Sequence, residues 1–187
     1  MSDLYHRETT LALLHEYTQT DSLRRHAYAV EAAMRASAVR TGGDEDYWAA
    51  VGLLHDFDYE MYPEAPDHPL KGADILREKG YPEDFVRTIL SHAAYTGVPR
   101  ENDCARWLFA VDELSGFCMA CAMVQPDKQI AQVKVKSVRK KLKKKDFAAK
   151  VNREEIAEGA EDLGLEPAEL IEHVLAALVP VADDLGL

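Results

Sequence analysis

The sequence predicts an all-α fold, and three observations carry that prediction. Apolar residues recur every three or four positions through most of the chain, the spacing that gathers them on one face of a helix. Few stretches alternate apolar and polar residues as a half-buried strand does. The breaks between these segments are helix punctuation: Asp, Asn or Thr before a segment, Gly after it, and Pro near the next start.

Taken in order, Thr9 to Thr18 reads as a first helix with Leu11, Leu14 and Tyr17 as its apolar stripe. A second runs from Ser22 to Thr41. Thr20 or Asp21 can cap it, Leu23, Ala27, Val30, Met34 and Ala38 form its stripe, and Gly42-Gly43 ends it. Asp44-Glu45-Asp46 places negative charge at the start of a third, where the macrodipole favours it. This helix carries Trp48, Val51, Leu54 and His55, and Phe57 to Asp67 follows as a loop. His68-Pro69 is expected to open the fourth helix with Pro at its first position, Leu70, Ala73, Ile75 and Leu76 on its buried side, and Gly80 at its end. Pro82 opens the fifth, with Phe85, Ile89 and Leu90 followed by His92. Asn102 or Asp103 caps a long apolar helix from Cys104 to Val124.

Pro126 marks a change of character. Lys134 to Lys145 holds eight basic residues, and Ser137 to Leu142 is a plausible helix within it. Asn152 and Glu155 have capping-box spacing ahead of Ile156, Ala160 and Leu163. Gly164 closes that helix, and Pro167 opens the last, with Leu170, Ile171, Val174, Leu175 and Leu178 apolar. The expected division is a helical domain over 1–125 and a C-terminal helical extension, 126–187, packed on the same body.

Bulk properties exclude several functions. A net charge of −11 argues against broad binding to nucleic acid or anionic membranes, because phosphate backbones attract basic faces. The simplest reading of the Lys134–Lys145 run is a solvated helix face that partly offsets this acidity; the alternative is a patch for an anionic partner or for a substrate's phosphates. No apolar run approaches the ~18–20 residues of a membrane span. The N-terminus lacks the basic-then-apolar plan of a signal peptide, so the expected location is cytoplasmic. Three cysteines then imply reduced thiols. Cys118-Met-Ala-Cys121 has no second pair to complete a zinc site, and reads as two small core residues one helical turn apart.

The candidate chemistry lies in histidines and aspartates at successive helices. His26 sits beside the apolar stripe of the second helix, and His55-Asp56 ends the apolar run Val51-Gly-Leu-Leu. His68 opens a helix, His92 is one turn past Ile89, and Asp112 lies in the apolar run Trp107-Leu-Phe-Ala-Val. A charged Asp on an apolar face needs a cation, because desolvating it alone is costly. Four imidazoles and two carboxylates are a reasonable ligand set for one or two Fe, Mn, Zn, Ni or Co ions. His6, His15 and His173 are assigned to the surface.

The ordered pattern H…HD…H…H…D, carried by Leu23-Arg-Arg-His-Ala, Leu53-Leu-His-Asp-Phe-Asp, His68-Pro-Leu-Lys-Gly-Ala, Ile89-Leu-Ser-His and Ala110-Val-Asp-Glu-Leu, resembles the HD-domain superfamily of metal-dependent phosphohydrolases. Small bacterial proteins of the HDIG type are the nearest resemblance, although Phe57-Asp58 stands where Ile-Gly would follow. The resemblance implies an HD-domain helical bundle with a cleft. His26, His55, Asp56 and Asp112 would hold one metal, His68 and His92 a second, and Asp56 would bridge the two. The implied reaction is hydrolysis of a phosphate mono- or diester, a nucleotide or similar small molecule, by a metal-activated water. Lys71, three residues after His68, would contact the substrate phosphate, and Asp58 would orient a ligand histidine or protonate the leaving group. Two rivals stand beside it: a mixed-valence di-iron oxygenase on the same six ligands, and a non-catalytic nucleotide-sensing or partner-binding module with a structural metal.

Overall fold

A computed structural model describes residues 3–187, and every regular element among them is helical. Helix α1 (Arg7–Tyr17) leads into α2 (Asp21–Thr41), which ends at Gly42 in the left-handed conformation, φ 78°. Helix α3 (Glu45–Leu54) starts at Asp44, whose side chain accepts from the N–H groups of Asp46 and Tyr47 and so caps it. Then come α4 (Asp67–Glu78), α5 (Glu83–Leu90) and the long α6 (Asp103–Met123), capped by Asn102 on the Ala105 N–H at 2.8 Å. The chain closes with α7 (Val135–Leu142), α8 (Arg153–Asp162), α9 (Pro167–Leu178) and a short α10 (Ala182–Leu185) that the sequence pattern did not announce.

Helices α2 and α6 form the central pair. Helix α3 lies along α2, α8 packs on α6, and α9 packs on both α2 and α6. Val30, Ala33, Met34, Leu54, Leu108 and Leu114 are wholly buried between them. A Cβ on Gly52 would stand 2.8 Å from the Val30 carbonyl oxygen, so only glycine lets α3 approach α2 this closely. That approach brings the end of α3, and with it His55-Asp56, against the middle of the bundle. Phe57 then turns into the core beside the Tyr17 ring at 5.3 Å, a burial that contributes about 1.5–3 kcal/mol. Thr18 Oγ1 donates to the Phe57 carbonyl at 2.9 Å, and Glu60 accepts from the Gln19 and Thr20 N–H groups. The loop after the His-Asp pair is thereby fastened to the α1–α2 turn.

Several local expectations need correcting. His68 is not the start of a regular helix. It is extended (ψ 135°), Pro69 is also outside helical geometry, and the regular turns of α4 begin after them. Leu70 is exposed rather than buried, because this break shifts the phase of the helix. His15 and His173 are half-buried, not on the surface. His15 Nε2 meets the Tyr28 hydroxyl at 2.6 Å, and His173 meets Ser37 Oγ at 2.9 Å beneath the Trp107 ring. Cys104, Cys118 and Cys121 are free and buried; burial pushes the Cys118 thiol up strongly and that of Cys121 up to about 11. Among the described residues no helix is long and apolar enough to cross a membrane.

Candidate metal centre

Six residues from five places in the chain meet at the floor of one cleft. His26 comes from α2, His55 and Asp56 from the end of α3, His68 from the extended start of α4, His92 from just past α5, and Asp112 from α6. They form two groups, His26–His55–Asp112 and Asp56–His68–His92, each with its ligand atoms within 4.8 Å of one another. Asp56 faces both: its Oδ2 lies 3.5 Å from His55 Nε2, and its Oδ1 lies 3.2 Å from His68 Nε2 and 3.3 Å from His92 Nε2. Asp112 Oδ1 is 3.0 Å from His26 Nε2 and 3.3 Å from His55 Nε2.

Three imidazoles are locked in one tautomer. His55 Nδ1 donates to the Gly52 carbonyl at 2.7 Å, His92 Nδ1 to the Ile89 carbonyl at 2.6 Å, and His68 Nδ1 to Asp58 Oδ1 at 2.8 Å. Each partner only accepts, so each Nδ1 carries a proton and each Nε2 is the nitrogen turned toward the carboxylates. His55 is wholly buried, and its Nε2 has no hydrogen-bond partner. A buried ring nitrogen facing two carboxylates calls for positive charge between them, a proton or a metal ion. The residues therefore fit a metal: imidazole and carboxylate are suitable donors, and the second ring nitrogen of each ligand is held as metal-binding histidines are held.

The electrostatics agree. Burial alone would lower the His55 pKa, but the charges of Asp56 and Asp112 override it and push it up to about 10. His68 goes the same way, to about 9, through Asp56 and Asp58. Burial would raise the carboxyls of Asp56 and Asp112, yet the adjacent histidines hold both well below the usual range. A site that binds a proton this tightly attracts a divalent cation for the same reason.

Asp58 lies beneath this floor. It is wholly buried, with one oxygen on His68 and the other on the Gly72 N–H at 2.9 Å. A Cβ on Gly72 would stand 2.6 Å from the Asp58 carboxyl carbon, so glycine makes room for the carboxylate. Asp58 thus orients a histidine. It does not itself line the cleft, and reaches it only through His68. Lys71 is also absent from the cleft lining and is exposed. Its three-residue spacing from His68 assumes a continuous helix, and the extended backbone at His68 breaks that phase.

The cleft has a volume of about 530 Å³. Its upper walls include residues that sequence reasoning missed: Tyr59 and Tyr95 on one part, and Glu113, Lys150, Asn152 and Glu155 on another. Burial and then the charge of Asp112 push Glu113 up to about 7. Asn152 was legible only as a helix cap, and nothing in the spacing of Lys150 or Glu155 points back to Asp112. A larger concavity of about 860 Å³ between α2 and α9 contains none of the six clustered residues.

Residues 23–115 match the family model of the HD domain, a stretch that contains all six clustered residues. The chain belongs to the HD-domain superfamily. No curated protein and no solved structure matches it. The HD superfamily is one of metal-dependent phosphohydrolases that bind divalent metals, and most of its members are hydrolases. The match is to the HD domain at large, not to the HDIG type. Lys150, Asn152 and Glu155 lie beyond the matched residues.

Proposed function

We propose that this HD protein is a metal-dependent phosphohydrolase acting on a phosphate mono- or diester of a nucleotide or related small molecule. The observation that carries this reading is the convergence of three tautomer-locked Nε2 atoms on the carboxylates of Asp56 and Asp112. His26, His55 and Asp112 would hold one ion, His68 and His92 a second, and Asp56 would give one oxygen to each. Bound there, the ions supply a water that ionises near neutral pH and positive charge for a phosphoryl oxygen. The protein's own contribution is orientation. Asp58 fixes the His68 ring, Gly72 leaves room for Asp58, and the carbonyls of Gly52 and Ile89 fix His55 and His92. Lys150, the one lysine that lines the cleft among the described residues, takes the phosphate-contacting role that spacing had suggested for Lys71.

The test is metal analysis of protein purified without chelator, followed by assay on bis(p-nitrophenyl) phosphate and a nucleotide panel. Metal-dependent product release that disappears in Asp56→Ala is the expected result. Two irons with a mixed-valence EPR signal and no phosphate release would replace this reading with the oxygenase. Intact biological activity in Asp56→Ala would replace it with the binding module.

A further inference from the structure

We propose that α7 and the segments beside it form a second binding site, separate from the metal cleft, for a small polyanion built of linked phosphoryl groups. The Lys134–Lys145 segment carries eight basic and no acidic residues. The rest of the chain then has 14 basic against 33 acidic, a net charge of −19. Such segregation is costly to maintain. Lys136 and Lys140, Lys140 and Lys144, and Lys141 and Lys145 are like-charge neighbours four residues apart.

Three structural observations turn the charge run into a site. Lys134, Lys140, Lys141 and Lys144 line a concavity of about 480 Å³ together with Gln132 and Ser137, and none of its lining residues lines the metal cleft. The lysines stand on an anchored element. Val138 is wholly buried, α7 packs on α6 and α9, and Lys141 Nζ lies over the Phe147 ring at 4.8 Å. Finally, among the described residues no carboxylate lies within 4.0 Å of any of the eight basic groups. Elsewhere many arginines are paired with carboxylates, as in Arg7–Glu31, Arg35–Asp46, Arg77–Glu83 and Arg100–Asp162. A concave, rigid, uncompensated lysine cluster with amide and hydroxyl groups suits several adjacent phosphates. Its size suits a ligand of two to four linked phosphates. A long nucleic acid would leave the concavity and meet the field of an otherwise acidic protein.

Isothermal titration of the full-length, chelator-stripped protein with inorganic triphosphate at low salt tests this. We expect one saturable site whose affinity falls steeply between about 50 and about 200 mM salt and weakens about tenfold or more in the double variant Lys140→Gln, Lys144→Gln. Both side chains are exposed, and an unchanged melting curve confirms that the variant folds. Asp56→Asn, which disables the metal cleft, should bind triphosphate as the parent does. The site is disproved by absent saturable binding, by equal affinity in the lysine variant, or by loss in Asp56→Asn. It is also disproved by tighter binding of a short single-stranded RNA than of triphosphate, or by a self-association that the lysine variant abolishes while triphosphate fails to bind.

Discussion

The two halves of the metal-ligand cluster are built in different ways. His26 and Asp112 stand inside long helices, α2 and α6, and His55 follows the last turn of α3, so packing of the central bundle sets their positions. Asp56, His68 and His92 all stand on turns or helix ends, where the local backbone sets less. His68 is the ligand braced from a distance, by Asp58 with Gly72 beneath it, whereas His55 and His92 are each held by a carbonyl three residues back. A ligand on a rigid helix needs a packing partner, whereas a ligand on an irregular segment needs a hydrogen-bonded brace. The first half should therefore fail only when a ligand is removed, and the second should also fail when its braces are disturbed.

Asp56→Ala should have the largest effect, because its two oxygens serve both halves. We expect complete loss of bound metal by elemental analysis and a fall in activity beyond the about 100-fold that mis-orienting a ligand costs. Next, His26→Ala and His92→Ala should each remove one metal equivalent, from opposite halves. If His92→Ala lost none while His26→Ala lost all, the protein would be mononuclear and the comparison would collapse.

Asp58→Asn comes third. An amide cannot accept from both His68 Nδ1 and the Gly72 N–H, so one bond is lost. Metal titration should show about 10–100-fold weaker binding in the second half, with the first unchanged. Gly72→Ala presses on the same carboxylate from the other side. It should cost about 1–3 kcal/mol in a denaturation experiment and weaken the second half by less than Asp58→Asn does. Equal weakening of both halves by either variant would refute the brace argument.

The smallest effect is one of pH. In protein stripped of metal, His55 and His68 titrate near 10 and near 9, against about 6.5 in an unfolded chain. Their folded pKa values are raised, so their contribution to stability is full below about pH 6.5 and is lost as pH rises through 9 to 10. The melting temperature of the stripped protein should fall across that window. The metal-loaded protein should fall less, because the metal has already displaced those protons. Parallel profiles would count against a metal at these residues.

Much of the bundle was legible in the sequence because its helices are amphipathic and individually punctuated. Asn102 and Asn152 cap as their positions suggest, and Gly42 ends α2 in the left-handed conformation that favours glycine. The readings that failed have two causes, a reset of helical phase and contacts made by other helices. Leu70 and Lys71 were placed by assuming helical phase from His68 onward, and the extended backbone there resets it. His173 looked superfluous to its own helix, but Ser37 and Trp107 belong to other helices.

By itself the sequence determined the helical class, the identity of the six histidines and aspartates, and the separation of charge between an acidic body and a basic α7. These are local properties, expressed in residue type and short-range spacing. The tertiary structure alone decided that those six side chains converge, which ring nitrogens carry protons, that Asp58 braces His68, and that Lys150, Asn152 and Glu155 close the cleft. The reason is physical: apart from the carbonyls three residues before His55 and His92, these features depend on atoms that packing brings together from different elements, and no periodicity along a single helix encodes such a contact.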